Sequence, residues 1–465
     1  MTSSHITIIG GGISGLATAW WLKKQGYSVA LFERDAEVGG TMKTVMKEGW
    51  LIETGPNSAL ETTPLFKILF ADLGIEKELV YANPAGKNRY ILREGKLHPL
   101  PMSPGKFLAS TLWSPAGKMR LLKEPFVGKA AKEESIAEFV VRRLGREFLD
   151  YAINPFVAGV FAGSPEKLSV RAAFPKLYAL EEKYGGLIRG QIAGARDRKK
   201  RGEVAKDRAQ MFSFKSGMQT LPKALGKALG DSIRTSSSVD GIDLGGNGKG
   251  KGYTLRYVSN GSAHTHSTNI VVLAVPAPAA ARFVQPFDSS LAHAIREIYY
   301  PPVTEVFVGY RSEQVRLPMD GFGFLIPEKE NRKILGAIWS SSLFECRAPD
   351  GCAAVTVFVG GSRQPENALI HDGELLSMVH NELNELMHIN GEPIFTHITR
   401  WEKAIPQYHL GHLQVTERMA QFERLHPGLF LSGNYRGGIS VSDCVLQSEK
   451  ISQQIIEYIA SQKTE

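Results

Sequence analysis

Cysteine is scarce in this chain, and long apolar runs are missing from it. The 465 residues include only 3 cysteines, Cys346, Cys352 and Cys444, which form no C-x-x-C pair. An odd number of cysteines at this spacing disfavours a disulfide framework and a cysteine-based metal site, so we expect no metal. No apolar run approaches the ~18 residues that a membrane-spanning helix needs. The N-terminal segment also lacks a signal peptide's basic leader and cleavage site, which predicts a cytoplasmic protein.

Acidic residues are outnumbered by basic ones. The chain has 55 Lys and Arg against 47 Asp and Glu, a net charge of +8. Such a charge could serve nucleic acid, an acidic membrane surface or an anionic substrate. Nucleic acid is disfavoured because no recognition module accompanies the charge, and the densest basic run, residues 196–201, is predicted as a solvated loop. With 43% hydrophobic and 22% charged residues the composition is globular, and the length predicts two or three domains.

The first forty residues carry the pattern of a dinucleotide-binding unit. A strand-like segment, residues 6–9, runs into three glycines, which supply a tight turn, a close approach of backbone to pyrophosphate, and helix-on-strand packing. The helix that follows would aim its positive N-terminal dipole at the diphosphate. A second strand then delivers Glu33, which can accept both ribose hydroxyls. The cofactor contacts predicted here are Gly10, Gly12, Ile13, Ser14, Gly15, Glu33 and Arg34.

Further glycine-rich segments favour FAD over NAD. Gly39-Gly40-Thr41 resembles the glycine pair that follows the ribose acid in flavoproteins of the amine oxidase superfamily. Near the other end, residues 433–443 predict a last helix, capped by Ser440 and Asp443, whose dipole faces the flavin ring. Ligand-free turns and a simple capping motif are the alternatives. The contacts predicted in these segments and beside them are Gly39, Gly40, Thr41, Gly55, Pro56, Asn57, Ser58, Val239, Trp401, Gly433, Gly438, Ile439, Ser440 and Val441.

The cofactor signals are separated along the chain, which predicts an α/β fold with inserted domains. Residues 1–86, 206–290 and 424–465 form the predicted FAD-binding domain, Rossmann-like and of the amine oxidase type, in which segments 239–242, 270–276 and 428–431 share one sheet. Residues 87–98 and 291–423 form a predicted α+β substrate-binding domain with an antiparallel sheet facing the flavin. Residues 99–205 form a predicted helical domain. Its apolar stretch 107–113, beside several basic residues, is predicted as core, with a membrane-surface patch as the alternative.

Several sequence blocks resemble those of the protoporphyrinogen/coproporphyrinogen oxidases. They include Gly-Phe-Gly at 321–323, Arg-Ala-Pro at 347–349, Ile-Pro-Gln-Tyr at 405–408 and the segment 155–163, and the resemblance extends over nearly the whole chain. It implies a three-domain, FAD-dependent, oxygen-using oxidase on the inner face of a membrane. The enzyme would take six electrons from a porphyrinogen to give the porphyrin and would release hydrogen peroxide. The resemblance also implies a ferrochelatase-type partner and leaves monomer and homodimer open.

The same resemblance assigns the substrate contacts. Leu325 and Ile338 would press on one face of the macrocycle, Phe358 would stack on the other, and the backbone carbonyl of Gly159 would accept a pyrrole N–H. Arg89 would clamp a propionate, because a planar guanidinium meets a carboxylate with two hydrogen bonds. Without the resemblance, sheet core is the simpler interpretation for the three apolar side chains, and a surface arginine is the alternative at position 89.

No histidine, glutamate or lysine stands out as a general base. His412 is the candidate, but a lone histidine after a glycine is more often a structural hydrogen-bonding group. Four cations are predicted near the mouth of the site, and they leave open a choice between protoporphyrinogen IX, with two propionates, and coproporphyrinogen III, with four. The other functions considered are an amine oxidase, a carotenoid desaturase and a non-catalytic porphyrin carrier. The four cations are Arg89, Arg93, Lys96 and Lys183.

Overall fold

The computed structural model describes residues 5–193, 209–245 and 252–464. The basic run at 196–201 and the loop predicted there lie outside the described residues. The longer helices are α1 (Ile13–Lys24), α2 (Leu65–Leu73), α3 (Pro104–Ala109), α4 (Pro115–Arg120), α5 (Ile136–Arg143), α6 (Asn154–Phe161), α7 (Pro175–Tyr184), α8 (Thr220–Leu229), α9 (Ala277–Val284), α10 (Ser289–Arg296), α11 (Asp372–Met387), α12 (His412–Leu425) and α13 (Val441–Thr464). Short helical turns include Glu76–Glu78, Pro84–Lys87, Leu121–Phe126, Arg146–Phe148, Leu149–Ile153, Val170–Ala173, Gly230–Ser232, Ser312–Gln314, Glu328–Glu330, Ser340–Leu343 and Pro365–Leu369.

A parallel sheet of five strands brings distant parts of the chain together. Its order is β10 (Ile233–Arg234), β2 (Val29–Phe32), β1 (Ile6–Ile9), β14 (Ile270–Leu273) and β20 (Leu429–Leu431). Every residue of β1 and β14 is buried. Such continuous apolar strands are expected where both faces of a sheet are covered. The predicted α/β fold is confirmed, as is the sharing of one sheet by segments 270–276 and 428–431.

One strand of that prediction was wrong. Segment 239–242 belongs to β11 (Ser237–Leu244), which pairs with β12 (Tyr253–Ser259) and β13 (Ser262–Thr268) in a separate antiparallel sheet. Buried and exposed positions alternate along the first part of β11, as in a strand with one solvated face. The edge of the parallel sheet is formed instead by β10, which has only 2 residues.

The largest sheet has seven strands, and a helix covers one of its faces. Its order is β19 (Phe395–Trp401), β15 (Val303–Arg311), β18 (Cys352–Gly360), β17 (Ile334–Ile338), β16 (Gly323–Leu325), β7 (Tyr90–Arg93) and β8 (Lys96–Pro99). The pairs are antiparallel except β16 with β7, so the predicted antiparallel sheet is mixed at one junction. Val306, Phe324, Ala337 and Val357 pack on one face with the apolar side of α11. On the opposite face, which we call the open face, Trp50 and Ile52 cover one part by packing on Phe307 and Phe395.

Two small sheets and a helical region complete the molecule. One sheet pairs β3 (Thr44–Lys47) with β4 (Trp50–Glu53), and the other has the order β5 (Ala59–Leu60), β9 (Met211–Phe214), β6 (Leu79–Tyr81). In the helical region, Leu112 and Trp113 are buried, as the core prediction for 107–113 requires, but Leu108 is 71% exposed. Arg143 is fully buried there and pairs with Glu124 at 2.9 Å. Within the described ranges, no helix is both long and apolar enough to cross a membrane.

The last helix packs against the first. The buried positions of α13 include Ile451, Ile455 and Ile459. The hydroxyl of Ser448 donates a hydrogen bond to the carbonyl of Ser14 at 2.9 Å. Because α13 follows β20 and α1 follows β1, both helices begin at the carboxyl edge of the parallel sheet.

Candidate active site

The glycine-rich turn after β1 has the shape of a diphosphate cradle. Gly10 has φ +109°, and a Cβ there would lie 2.4 Å from the carbonyl oxygen of Ala274. A Cβ at Gly15 would lie 2.0 Å from the Gly10 carbonyl oxygen, so both positions require glycine. Gly12 instead borders open space, with nothing within 4 Å of its would-be Cβ. No side chain caps α1. The backbone N–H groups of its first turn, which begins with Ile13 and Ser14, are therefore available to an anion.

Glu33 is held beside this turn. One carboxylate oxygen accepts the N–H of Gly11 at 2.6 Å, and the other accepts the N–H of Asp35 at 2.8 Å. The side chain is buried, yet each oxygen retains a lone pair for a further donor. Two fixed oxygens at the end of β2 suit a pair of ribose hydroxyls. Arg34 points to solvent, with its side chain 77% exposed beside Asp35.

The second glycine pair packs directly on the first turn. The N–H of Gly39 donates to the Gly11 carbonyl at 2.8 Å, and a Cβ at Gly40 would lie 3.2 Å from the Gly12 Cα. Thr41 follows on the surface, and its carbonyl oxygen lies 2.1 Å from a would-be Cβ of Gly55. The structure therefore brings the segments at 10–15, 39–41 and 55–58 into one place.

The C-terminal segment arrives at the same sheet edge. Ser440 caps α13, because its hydroxyl accepts the N–H of Asp443 at 3.1 Å, as the sequence predicted. Tyr408 fixes the loop before the helix: its hydroxyl donates to the Asn434 carbonyl at 2.5 Å and accepts the N–H of Gly438 at 3.0 Å. Gly433 and Gly438 both have positive φ, +136° and +131°. Ile439 and Val441 flank the cap.

Trp401 connects the seven-stranded sheet to the segment at 55–58. It ends β19, and its indole N–H donates to the carbonyl of Thr54 at 2.6 Å. Asn57 folds back within that segment, with its amide donating to the Gly55 carbonyl at 3.1 Å. Pro56 and Ser58 are half-buried on either side of Asn57. Val239 lies elsewhere, buried in β11 near the end of β2.

The predicted substrate contacts share the open face of the seven-stranded sheet. In the cross-strand pairing, Leu325 lies opposite Gly336, Gly336 opposite Phe358, and Phe358 opposite Glu305. Directly paired residues point to the same face. Leu325, Ile338 and Phe358 are half-buried, whereas their neighbours on the covered face are fully buried. The predicted residues therefore lie together on the open face, where Leu325 packs in part against the cluster around Trp113 and Phe358 in part against the cluster around Ala158.

Gly336 separates Leu325 from Phe358 by a position without a side chain, which we call the slot, and Leu325 Cδ2 reaches over it, 3.3 Å from a would-be Cβ. A Cβ at Gly336 would lie 2.4 Å from the Phe324 carbonyl oxygen, so no side chain can stand there. The flanking strands are two apart, which separates their backbones by about 10 Å. A flat ring in contact with both flanking side chains needs about 7 Å. From the helical region α6 approaches the same place, since a Cβ at Gly159 would lie 2.5 Å from Leu325 Cδ2.

Arg89 lies just before β7 and has no acidic partner among the described residues. Its guanidinium stacks over the Phe322 ring at 5.3 Å, and among the described residues no carboxylate pairs with it. Burial lowers the pKa of this guanidinium. Arg93, by contrast, is paired with Glu147 at 2.7 Å, and Lys96 is exposed. The ammonium group of Lys183 lies 5.0 Å from the Tyr184 ring.

The sequence blocks that support the resemblance hold the site's walls. The side-chain amide of Gln407 donates to the Phe161 carbonyl at 2.7 Å, which ties the end of α6 to the segment before α12. Arg347 lies 3.7 Å from Glu53, and both side chains are almost fully buried. Burial raises the pKa of Glu53 to about 7, although hydrogen bonds to Thr44 and Met218 and the charge of Arg347 oppose the shift.

His412 belongs to the packing of this wall. Its ring stacks on Tyr408 with centroids 4.2 Å apart. Burial lowers its pKa to about 4, so the imidazole is neutral near pH 7. The geometry gives His412 a packing contact, in line with the structural interpretation of a lone histidine after glycine.

Glu305 is the site residue that sequence reasoning missed. It lies in β15 on the open face, 7% exposed, and its Oε2 has no hydrogen-bond partner among the described residues. Burial raises the pKa of this carboxyl group well above its usual value; a hydrogen bond from Asn57 lowers it in part, and the charge of Glu53 raises it. An acidic residue within the otherwise apolar run of β15 was the signal that could have found it.

Comparisons with known proteins match this architecture. Residues 13–456 match the model of the family "Flavin containing amine oxidoreductase". Protoporphyrinogen oxidase 2 of Arabidopsis thaliana is 33% identical over 99% of this chain and 95% of its own length. Coproporphyrinogen III oxidase of Bacillus subtilis is 30% identical over 98% of this chain and 99% of its own length.

Solved structures confirm the predicted fold class. A crystal structure from Exiguobacterium sp. 255-15 has a TM-score of 0.81 at 23% identity, covering 98% of this chain and 99% of that one. A reduced UDP-galactopyranose mutase has a TM-score of 0.73 at 16% identity, covering 98% and 96%. FAD is the cofactor, as predicted, and the glycine cradle, the Glu33 carboxylate and the free N-terminus of α1 fit it. The chain belongs to the flavin-containing amine oxidoreductase family and, within it, to the protoporphyrinogen and coproporphyrinogen III oxidases.

Proposed function

We propose that this enzyme oxidises a porphyrinogen to the porphyrin, in three two-electron steps, with O2 as the final acceptor and hydrogen peroxide as the product. Bound FAD supplies the redox chemistry, and the protein supplies position and a dry pocket. The placement of Leu325 and Phe358 on one face of the seven-stranded sheet, on either side of Gly336, carries the proposal. The names of the relatives from Arabidopsis thaliana and Bacillus subtilis support it.

The substrate contacts follow from the walls of this slot. Leu325 and Ile338 bear on one face of the macrocycle and Phe358 on the other, while the carbonyl of Gly159 accepts a pyrrole N–H. Apolar walls favour a tetrapyrrole whose ring is hydrophobic and whose carboxylates remain at the edge.

Arg89 binds a propionate. Its guanidinium is already partly desolvated and has no acid to satisfy it, so a substrate carboxylate completes its hydrogen bonding. Because Arg93 is committed to Glu147, this side of the mouth presents one half-buried cation rather than two. We therefore propose protoporphyrinogen IX, with two propionates, as the preferred substrate over coproporphyrinogen III, with four.

The cofactor contacts are proposed in three groups. The turn at Gly10, Gly12 and Gly15, with Ile13 and Ser14, binds the diphosphate. Glu33 binds the ribose, with Arg34 beside the adenosine and Val239 near it. The remaining residues surround the flavin ring and the chain leading to it; they are Gly39, Gly40, Thr41, Gly55, Pro56, Asn57, Ser58, Trp401, Gly433, Gly438, Ile439, Ser440 and Val441.

The function is tested by following porphyrin fluorescence while the purified yellow protein is mixed in air with each porphyrinogen, corrected for auto-oxidation. Fluorescence that rises faster with protoporphyrinogen IX supports both parts of the proposal. Faster oxidation of coproporphyrinogen III would reverse the substrate preference alone. Amines and carotenoid precursors serve as control substrates under anaerobic conditions. Bleaching of the flavin by either of them, with none by a porphyrinogen, would refute the oxidase, and porphyrin binding without flavin bleaching would indicate a carrier.

The division into three domains is also part of the proposal. Its helical domain carries a surface that would contact a lipid bilayer. The helical region exposes five large apolar side chains within 25 residues, and Lys106 and Lys123 lie among them. Apolar residues beside cations fit an anionic lipid surface. We call this set the apolar patch: Met102 (68% exposed), Leu108 (71%), Met119 (68%), Leu122 (71%) and Phe126 (84%).

Vesicle binding tests the apolar patch. The holoenzyme should sediment with phosphatidylserine vesicles and less with neutral phosphatidylcholine vesicles. Phe126→Asp should weaken the binding, because it places a negative charge within the proposed contact. Leu425→Asp is the matched control, since Leu425 is 76% exposed at the end of α12, away from the patch. Equal binding by both variants would refute the patch as the contact surface.

A further inference from the structure

Helix α6 contacts both walls of the proposed porphyrinogen site. A Cβ at Gly159 would lie 2.5 Å from Leu325 Cδ2, and Ala158 belongs to the cluster against which Phe358 packs. Leu325 and Phe358 themselves are held by hydrogen-bonded strands, β16 and β18. A shift of α6 relative to the sheet would therefore change the room for a ring beside these side chains.

The C-terminal end of α6 is linked to the sheet through backbone carbonyls. The carbonyl of Ala162 accepts the N–H of Ser362 at 2.7 Å, and the carbonyl of Phe161 accepts the side-chain amide of Gln407 at 2.7 Å. Ser362 lies two residues beyond the end of β18. The segment after the strand that carries Phe358 therefore fixes this end of the helix.

The N-terminal end of α6 is held by the next residue of that segment, Arg363. Its Nη2 donates to the backbone carbonyl of Asn154 at 3.0 Å and to the side-chain Oδ1 of Asn154 at 2.6 Å. Its Nη1 donates to the carbonyl of Ile326 at 2.7 Å. Asn154 begins α6, and Ile326 directly follows Leu325 at the end of β16. One guanidinium thus joins the start of the helix to the strand that carries Leu325.

Two further hydrogen bonds support the same junction. Asn154 Oδ1 also accepts the N–H of Glu328 at 2.9 Å, and the Asn154 amide donates to the Glu328 carboxylate at 3.1 Å. Asn154 and Glu328 border a polar cavity of about 400 Å³, together with Asp150 and Glu166. Because this side of the helix start faces a cavity and not a packed core, its position depends on these hydrogen bonds.

The charge of Arg363 serves no ion pair. Its three acceptors are carbonyl oxygens, and its Nε has no partner among the described residues. Burial lowers the pKa of this guanidinium to about 10, while the charges of Glu328 and Glu166 oppose the shift, so the group is charged near pH 7. Partial burial of a cation among neutral acceptors costs free energy. The contribution of the arginine is geometric, because a planar fork can donate to two elements at once.

We propose that Arg363 is a positioning residue for the porphyrinogen: its guanidinium holds the start of α6 against the end of β16 and so fixes the spacing between Gly159 and Leu325. This inference rests on the proposed function. Arg363 acts through the helix, whose Gly159 carbonyl is the proposed acceptor of a pyrrole N–H. The fixed spacing lets that carbonyl and the Leu325 side chain contact one ring together.

Arg363→Met should loosen this junction, because it removes three hydrogen bonds. A displacement of about 1 Å can lower a rate about 100-fold. We expect kcat/KM for protoporphyrinogen IX to fall by about 10- to 100-fold, with KM and the dissociation constant of bound porphyrin both raised. Arg363→Lys should restore part of the loss, since lysine keeps a donor but not the planar fork. Asn154→Ala removes only the Oδ1 acceptor and should act in the same direction to a smaller extent.

Arg332→Met is the matched control. Arg332 lies between β16 and β17 and pairs with Glu382 and Glu385, so it links the same sheet to α11 on the opposite face. A loss of stability alone reduces the amount of folded enzyme, which lowers the apparent kcat and leaves KM unchanged. We expect that result for Arg332→Met. Flavin content and the urea midpoint are measured for every FAD-loaded variant.

Gly159→Ala supplies a second readout. In the wild type its added Cβ presses on Leu325, whereas in Arg363→Met the start of the helix can move away. The factor by which Gly159→Ala raises KM should therefore be smaller in the Arg363→Met protein, by about 2-fold or more. In the Arg332→Met protein the factor should equal that of the wild type.

Two results would overturn the inference. One is an Arg363→Met protein, or an Asn154→Ala protein if the former does not fold, whose KM and porphyrin affinity match those of Arg332→Met. The other is a Gly159→Ala factor that is the same in every background. Either leaves the proposed function intact, since the wild type still reacts. If no porphyrinogen bleaches the wild-type flavin, the proposed function itself fails, and the inference falls with it.

Discussion

Arg89 allows substrate binding to be separated from folding stability. Its guanidinium is half-buried over Phe322, and no described carboxylate compensates the charge. An uncompensated buried charge lowers the stability of the free protein. Replacing Arg89 with leucine removes the proposed propionate clamp, and it also removes the loss of stability that the uncompensated charge causes. We expect Arg89→Leu to unfold at the same urea concentration as the wild type or at a higher one.

The loss of affinity can be worked out from the hydrogen bonds. A hydrogen bond to a charged group contributes about 1.5–3 kcal/mol. Because about 1.4 kcal/mol corresponds to a factor of ten, removal of the clamp should weaken porphyrin binding and raise KM by about 10- to 150-fold. The porphyrin affinity and KM of Arg89→Lys should lie between those of the wild type and Arg89→Leu, since lysine keeps the charge but not the planar pair of donors.

Arg93→Leu is the control, and it should behave in the opposite way. Arg93 donates to Glu147 at 2.7 Å and to the Leu112 carbonyl at 2.5 Å, and it stacks on Tyr151 at 4.4 Å. Its loss breaks the ion pair with Glu147 and removes this donor from the carbonyl of the buried Leu112, at a cost of about 1–3 kcal/mol. KM should stay close to the wild-type value.

The assay pairs urea unfolding with porphyrin titration and steady-state kinetics for each variant. The reasoning is refuted if Arg89→Leu binds porphyrin as tightly as the wild type, or if it loses as much stability as Arg93→Leu. In the first case the propionate lies elsewhere. In the second case Arg89 has a structural partner whose loss destabilises the fold.

Three further predictions concern packing and charge. Gly159→Ala should raise KM for the porphyrinogen several-fold, because its Cβ pushes a wall of the slot inwards, while Gly105→Ala, in open space on α3, should leave KM unchanged. Arg143→Met should lower the urea-derived stability by about 3–5 kcal/mol, because it breaks a fully buried ion pair, whereas Arg146→Ala, 73% exposed, should change it by less than about 1 kcal/mol. Burial raises the pKa of Glu53 from 4.5 to about 7, so its stabilising contribution is complete below pH 4.5 and is lost as the pH rises through 7. Between these pH values the stability of the wild type relative to Glu53→Gln should fall by on the order of 3 kcal/mol, and a flat difference would show that the carboxyl group is ionised throughout.

The cofactor half of the fold could be predicted because its constraints are local. Gly10 and Gly15 leave no room for a Cβ, and such a requirement stays visible as glycine at fixed spacing. Glu33 is placed in the same way by the short strand β2, which ends directly before it. The cap at Ser440 involves Asp443, only three residues further along the chain. Local rules of this kind are readable from a single chain.

The elements that escaped prediction depend on partners far along the chain. β10 has only 2 residues, which is too short to produce a periodic pattern in the sequence. The prediction therefore assigned the edge of the parallel sheet to β11, whose pattern is stronger. The pairing of Arg347 with Glu53 joins distant segments through a buried ion pair. Glu305 looks like a charge at the surface of a strand until β18, β19 and Asn57 enclose it. Burial of this kind exists only in the assembled structure.

The contact between α13 and α1 has a consequence for how the protein becomes yellow. During synthesis the first cofactor segment leaves the ribosome hundreds of residues before the hydroxyl of Ser448 can reach the carbonyl of Ser14. The growing chain can contact only part of the dinucleotide, because β20 and the helix after it are synthesised last. The protein should therefore turn yellow only after synthesis is complete, when both ends of the polypeptide are in contact and the flavin can bind. Messages cut short before α13 should yield pale protein.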